Sequence, residues 1–344
     1  MLSRAKLCAI LIGSIVFGIM TMSHAQDQQL YDELVRKLND VRSKMEQSGI
    51  SKEEYDKLLK EYNELSEKIK VEGEKLQQQG EYLEKVNEVK KLFNNGQQAY
   101  KKGQYAEALT LYEEVIKLDP NFTKAYYQKG LALYNQRKYN EAIEAYKKAI
   151  EIDPGYELAY SAMGSAYNKL GDSDNAIDAY LKAVEKDPTN YKTQYNLSAV
   201  YIKNKDWKNA IIHLRAATNE KPDYYLAYNS LGVALKGDGK LEEAAMAFET
   251  AISLKENYGD AYARLAEVYN ALGKHQEAID TASKGLKYKG SHVGMCDYEI
   301  GTAYKKLGQY QEAIKYFEAA KKDRRWLKTA DWEIENIKRE QGIK

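Results

Sequence analysis

Beyond residue 25 the side chains best suited to metal or nucleophilic chemistry are three histidines, His213, His275 and His292, and one cysteine, Cys296. A tetrahedral zinc site takes four Cys or His ligands at short spacings, and a nucleophilic triad needs a Ser or Cys beside a His with an orienting acid. One histidine in each of three separated stretches supplies neither. No Gly-rich phosphate loop of the strand-loop-helix kind occurs. The carboxylate pairs Glu113-Glu114 and Glu242-Glu243 lie in Lys-rich stretches, where solvated helix faces and ion pairs account for them. The sharpest basic run, Lys321-Lys322-Asp323-Arg324-Arg325-Trp326, is balanced by acid elsewhere, with 52 Lys and Arg against 51 Asp and Glu in the chain. These features point away from an enzyme, from a cofactor or metal, and from nucleic acid as a partner. A single thiol excludes an internal disulfide and leaves a buried small residue or an intermolecular bridge, of which burial is the simpler reading.

The elements that would position any site are helical by composition, with 4 Pro, 30% charged residues and 30 Tyr against 5 Phe. The first 25 residues differ. Arg4 and Lys6 precede an uncharged apolar run from Leu7 to Met22, followed by Ser23 and Ala25. That run is shorter than the roughly 20 residues of a bilayer span, and the pattern is that of a secretory signal. Cleavage is predicted after Ala25, giving a periplasmic or secreted chain with no transmembrane span; a retained N-terminal anchor is the alternative. Without Arg4 and Lys6, 50 basic residues face 51 acidic ones.

All four prolines, Pro120, Pro154, Pro188 and Pro222, fall 34 residues apart. Ala108, Ala142, Ala176, Ala210, Ala244 and Ala278 keep the same step, and Ala313 follows one residue late. A second small series runs Gly96, Gly130, Gly164, Ser198, Gly232, Ala266 and Gly301, where a short side chain lets a paired helix approach. A fixed period of this length signals stacked supersecondary units. Segments such as Tyr139-Asn140-Glu141-Ala142-Ile143 and Gly308-Gln309-Tyr310-Gln311-Glu312-Ala313-Ile314 resemble the turn and second helix of the tetratricopeptide repeat (TPR). The resemblance implies an all-α fold, a right-handed α-solenoid of about seven helix pairs, starting near Val89, Thr123, Glu157, Tyr191, Tyr225, Gly259 and Gly294. Each first helix ends at a turn residue such as Gly103, Gly171, Gly239, Gly273 or Gly308, and four of the second helices end at a proline. Leu327, Ala330, Ile334 and Ile337 form the stripe of a C-terminal capping helix. Lys289 to Gly294 adds one residue and is predicted to be the loosest junction.

Ahead of the repeats, Tyr31, Leu34, Leu38, Val41 and Met45 step by three and four, and Tyr55, Leu58, Tyr62, Leu65 and Ile69 do the same. Gly49-Ile50 separates the two stripes, and Ser51 with Glu54 forms a capping box. The domain reading is therefore a signal at 1-25, a coiled-coil helical hairpin at 26-88, the repeats at 89-327 and a cap at 328-344. The hairpin would pack on the first repeat or pair with a second copy of the chain, a possible homo-oligomer through residues 27-80.

TPR arrays line a groove with the first helix of each pair. By register that resemblance places Phe93, Gln97, Tyr100, Tyr127, Tyr134, Asn168, Tyr195, Asn229, Asn270 and Tyr298 on the inner surface, with Ser165, Glu267 and Lys305. Tyr gives contact area and Asn can hydrogen-bond an extended backbone, although the tyrosines could equally pack between repeats. The lysine, asparagine and arginine set with which some TPR proteins hold a peptide C-terminus is missing, since those positions hold Phe93, Gln97, Tyr127, Leu131, Ser161 and Ser165. An internal protein or peptide segment is the expected guest. The order of signal, hairpin and repeats also resembles that of the cell-division coordinators associated with the Tol-Pal system of Gram-negative envelopes, which implies an envelope role. The alternative is a structural or chaperone component of an envelope or polysaccharide-export assembly, acting through its convex face and coiled coil.

Overall fold

A computed structural model describes residues 4-45 and 51-342, with side chains from His24 onward. These residues form sixteen helices and no strand. In chain order they are α1 (Arg4–Met45), α2 (Lys52–Lys101), α3 (Tyr105–Leu118), α4 (Thr123–Asn135), α5 (Tyr139–Ile152), α6 (Glu157–Leu170), α7 (Ser173–Lys186) and α8 (Tyr191–Lys203). They continue as α9 (Trp207–Glu220), α10 (Tyr225–Gly237), α11 (Leu241–Leu254), α12 (Gly259–Ala271), α13 (His275–Gly285), α14 (Val293–Lys306), α15 (Tyr310–Ala320) and α16 (Leu327–Gln341). No helix among the described residues is long and apolar enough to cross a membrane. The helices divide into two compact units, residues 1-98 with 117-120 and residues 99-116 with 121-344.

In the first unit α1 and α2 run antiparallel. Lys75 Nζ lies 2.8 Å from Asp27 Oδ1, Gln79 Nε2 donates to Asp27 Oδ2 at 2.9 Å, and Tyr31 lies against Gly73. Val41, Leu65 and Leu76 are buried, whereas Tyr55, placed in the seam by its spacing, is 42% exposed. The Ser51 cap forms, with Glu54 N donating to Ser51 Oγ at 3.2 Å; Gly49 and Ile50 lie outside the described residues. The first helix of the first predicted repeat is no separate element. Residues from Val89 onward are the last stretch of α2, because Gly73 and Gly80 each cost only about 1 kcal/mol relative to Ala and no proline intervenes.

The second unit repeats one packing six times. α4 packs on α5, α6 on α7, α8 on α9, α10 on α11, α12 on α13 and α14 on α15, and each second helix also packs on the first helix of the next pair. The phased alanines Ala108, Ala142, Ala176, Ala210, Ala244, Ala278 and Ala313 are all fully buried. The small series permits the close approach: a Cβ on Gly130 would stand 2.3 Å from the Tyr146 ring, and one on Gly232 2.6 Å from Phe248. At the ends of α5 and α7, Asp153 and Asp187 leave the helical region and accept from Gly155 N and Thr189 N at 2.9 and 3.2 Å. The Asp thereby satisfies backbone donors that Pro exposes by ending the helix. α16 closes the far end, burying Ala330, Ile334 and Ile337 beside Phe317.

The turns after the first helices share one conformation. Gly103, Gly171, Gly239, Gly273 and Gly308 have φ between 74° and 85°, and Arg137 and Lys205 take the same place in register with φ of 62° and 59°. A left-handed conformation costs an L-residue with a Cβ roughly 1–2 kcal/mol. Arg137→Gly and Lys205→Gly should therefore each stabilise the array by about 0.5 to 1 kcal/mol, read as a raised midpoint in denaturant. A lowered midpoint in both would show that the Arg and Lys side chains contribute more than the strain they carry.

The inserted junction is held rather than loose. His292 is 7% exposed, its Nε2 lies 3.1 Å from both the Gly285 and Tyr288 carbonyls, and its ring occupies the space a Cβ on Gly259 would need. Two carbonyl acceptors require that Nε2 carry the proton. The extra residue is absorbed by a ring wedged between α12 and α14.

Candidate functional site

The first helices of successive pairs touch one another from α4 through α14, making a continuous inner face. On it α4, α6 and α8 enclose a hollow of about 270 Å³. α4 contributes Tyr127, Leu131 and Tyr134, α6 contributes Leu158, Ser161, Ala162 and Ser165, and α8 with its cap contributes Asn190, Lys192, Thr193 and Asn196. Each is presented by spacing of three and four residues on one helix face. Tyr146, on α5, also lines this hollow; it is fully buried, and its hydroxyl has no hydrogen-bond partner among the described residues. Burial pushes the Tyr127 hydroxyl up to about 12, so it stays neutral at ordinary pH.

The polar edge is fixed in place. Asn190 Oδ1 caps α8 by accepting from Thr193 N at 3.2 Å, Thr193 Oγ1 lies 2.9 Å from Ser161 Oγ, and Ser165 Oγ lies 2.8 Å from the Tyr180 hydroxyl. Leu158 stays 38% exposed at the mouth. The arrangement offers a preorganised apolar seat about the size of a large side chain, rimmed by hydroxyls, amides and one ammonium. It offers no nucleophile-base pair, and no group of three or more His, Cys, Asp or Glu among the described residues could hold a metal.

Of the residues expected on the inner surface, Tyr127 and Tyr134 line this hollow together with Ser165. Tyr127 also packs edge-on against Tyr156, and Tyr195 packs against Tyr224. Tyr100 accepts from the Asn135 amide at 2.8 Å. Phe93 and Gln97 lie on α2 in the first unit, both half-buried. Asn168 on α6 is half-buried, and Asn229 on α10 is 9% exposed with an unpartnered Oδ1. Asn270 is already engaged: its Nδ2 lies 2.9 Å from both the backbone oxygen and Oε2 of Glu299. Tyr298 stacks at 4.6 Å on Trp326. Leu158, Ala162, Lys192 and Asn196 were missed by the sequence reading; the signal was the 34-residue step, which carries Leu158 to Lys192 and Ala162 to Asn196.

Burial also shifts groups outside the hollow. Cys296 is fully enclosed, and burial pushes its thiol up to about 12, which makes it inert as a nucleophile. Glu299, 5% exposed, is pushed up to about 7 by burial, against the Asn270 hydrogen bond.

Tetratricopeptide repeat models match residues 93–157, 158–190 and 179–212, and a model described as anaphase-promoting complex, cyclosome, subunit 3 matches residues 237–320. No curated protein matches the chain. Among solved structures, the C-terminal part of a TPR repeat-containing protein from Cytophaga hutchinsonii is similar at 17% identity with a TM-score of 0.57, over 67% of this chain and 95% of that one. A tetratricopeptide repeat protein from Parabacteroides merdae is similar at 18% identity with a TM-score of 0.52, over 71% and 99%. The MamA protein shares 30% identity with a TM-score of 0.44, over 47% of this chain and 94% of that one. Repeat models in register with the helix pairs, on an array whose phased alanines are all buried, mean that the chain belongs to the tetratricopeptide-repeat family of protein-interaction scaffolds.

Proposed function

We propose that this is an exported scaffold, working in envelope assembly or maintenance, that holds an extended segment of a protein partner along its inner face and anchors one large apolar side chain between α4, α6 and α8. The observation that carries the reading is the preformed hollow itself, apolar at Tyr127, Leu131, Tyr134 and Leu158 and polar only at its rim. Burying a Leu- or Phe-sized side chain contributes about 1.5–3 kcal/mol, enough to fix register along a groove. Export rests on residues 1-25, and a mature N-terminus at Gln26, read by intact-mass spectrometry of the protein from its native compartment, is the expected result.

Filling the hollow tests the anchor. Ala162→Trp should abolish partner recovery after crosslinking in the native compartment while leaving helicity unchanged, and undiminished recovery would refute the groove reading. A second reading has a specific observation in its favour. Ile212 on α9 and Met246 on α11, 34 residues apart, are 60% and 66% exposed on second helices, away from the inner face. A structural or chaperone role through the outer face would make Ile212→Asp with Met246→Asp the variant that loses the partner.

A further inference from the structure

Two features the hollow between α4, α6 and α8 does not use meet elsewhere: the inserted junction at Lys289 to Gly294 and the basic run ending at Trp326. They close a second hollow of about 170 Å³ between α12, α14 and the segment before α16. Its register follows that of the first one: Asp260 and Arg264 stand 102 residues, three repeats, after Leu158 and Ala162, and Met295 stands 103, three repeats with the inserted residue, after Lys192. The chemistry is different. Arg325 is tied to the Asp323 carboxylate through Nε at 3.0 Å and also donates to the Ser291 carbonyl, so its charge is compensated and its position fixed. Trp326, stacked on Tyr298, forms a flat wall with Met295 beside it. Arg264 is half-buried and, among the described residues, makes no hydrogen bond or ion pair, not even with Asp260 one turn before it.

A half-buried guanidinium with an open fork is costly unless a partner engages it, and a carboxylate matches that fork in two parallel hydrogen bonds. Asp260, on the same face, is placed to accept an N–H from the backbone that carries such a carboxylate. We propose that this hollow receives an acidic side chain of the same extended guest whose apolar residue fills the first. That one guest fills both hollows rests on the groove reading; that its residue here is acidic rests on Arg264. Neighbouring first helices pack about 8–10 Å apart, so three steps span roughly 25–30 Å, or about seven to nine extended residues. The guest motif is therefore a large apolar residue followed or preceded, at about that separation, by Asp or Glu.

The test uses Trp326 as reporter in the full chain with Trp207→Phe and Trp332→Phe, which removes the other two tryptophans. N-acetyl-glutamate amide should shift the Trp326 indole N–H resonance saturably in the millimolar range, while N-acetyl-glutamine amide should not, and Arg264→Gln should weaken the response at least tenfold. Equal responses to the two probes, no saturable response, or an unchanged response in Arg264→Gln would overturn the acidic site. A capped ten-residue peptide with Leu at one end and Glu at the other tests the joint occupancy. It should bind at least tenfold tighter than its Leu-Gln counterpart. Binding that depends on Leu but not on Glu overturns this inference and leaves the groove reading intact; binding that depends on Glu alone overturns the joint occupancy and counts against the groove reading.

Discussion

Gly130→Leu should destabilise the array by about 3 kcal/mol or more and open it locally, at α4 and α5. A Cβ at Gly130 would stand 2.3 Å from Cε1, 2.6 Å from Cδ1 and 2.9 Å from Cζ of Tyr146, so the clash is with the body of the ring and not with a flexible tip. Tyr146 is fully buried among Leu133, Ile143, Ala149 and Met163, so its ring can yield only toward the hollow it lines. Overpacking of a filled core typically costs 1–3 kcal/mol, and a whole isobutyl group driven into a ring lies at the upper end. In a solenoid each pair contacts only its neighbours, so the loss stays near its source. Hydrogen exchange should show protection falling in α4 and α5 while α14 to α16 keep theirs. Gly130→Leu with Tyr146→Ala should recover part of the loss, since the two side chains compete for one volume. Wild-type protection at α4 in the single variant would mean that the helix pair is not packed through this contact.

The same contact shows why so much of the fold was legible. Gly130, Gly164, Gly232 and Gly301 are phased because a ring, from Tyr146, Tyr180, Phe248 and Phe317 respectively, presses on each of them once per repeat. A constraint imposed by every pair writes itself into sequence at a fixed interval, and the buried alanines record it again. Where the constraint is met by geometry alone, residue type is silent: Arg137 and Lys205 adopt the turn conformation of the glycines, and only their distance of one repeat from Gly103 and Gly239 marks the position. The site was legible in part. Register puts Tyr127 and Tyr134 on the face of α4 that lines the hollow, but a hollow is defined by what is small or absent, and Ala162 carries no mark of lining one. Asn270 shows the opposite limit. Its partner Glu299 lies 29 residues away, on a helix that also had to absorb the inserted residue, so no local pattern announced the pairing.

That pairing produces a pH effect large enough to measure. The Glu299 carboxyl, on α14, is almost completely buried, and burial raises it from its ordinary 4.5 to about 7. Asn270 Nδ2, donating at 2.9 Å, favours the ionised form, Glu267 on α12 disfavours it, and Lys236 on α10 favours it only weakly because it already pairs with Glu267 at 2.6 Å. In the unfolded chain the carboxyl loses its proton from about pH 4.5, whereas in the folded chain it keeps it until about 7. Across that window the unfolded state binds fewer protons, so rising pH removes stability, by about 3 kcal/mol once the folded group has also ionised. Glu299→Gln keeps the acceptor for Asn270 and removes the titration. With Trp207→Phe and Trp332→Phe in both chains, the variant should match its parent near pH 4.5 and exceed it progressively up to about pH 8, with a gain of about 2 to 3 kcal/mol in urea unfolding followed by the Trp326 fluorescence at the neighbouring cap. A stability difference that stays flat from pH 4.5 to 8 would show that the carboxylate is solvated in the folded chain. A rising difference would mean that the protonated carboxyl is the form the packing of α14 on α12 holds, so that this contact weakens once Glu299 ionises.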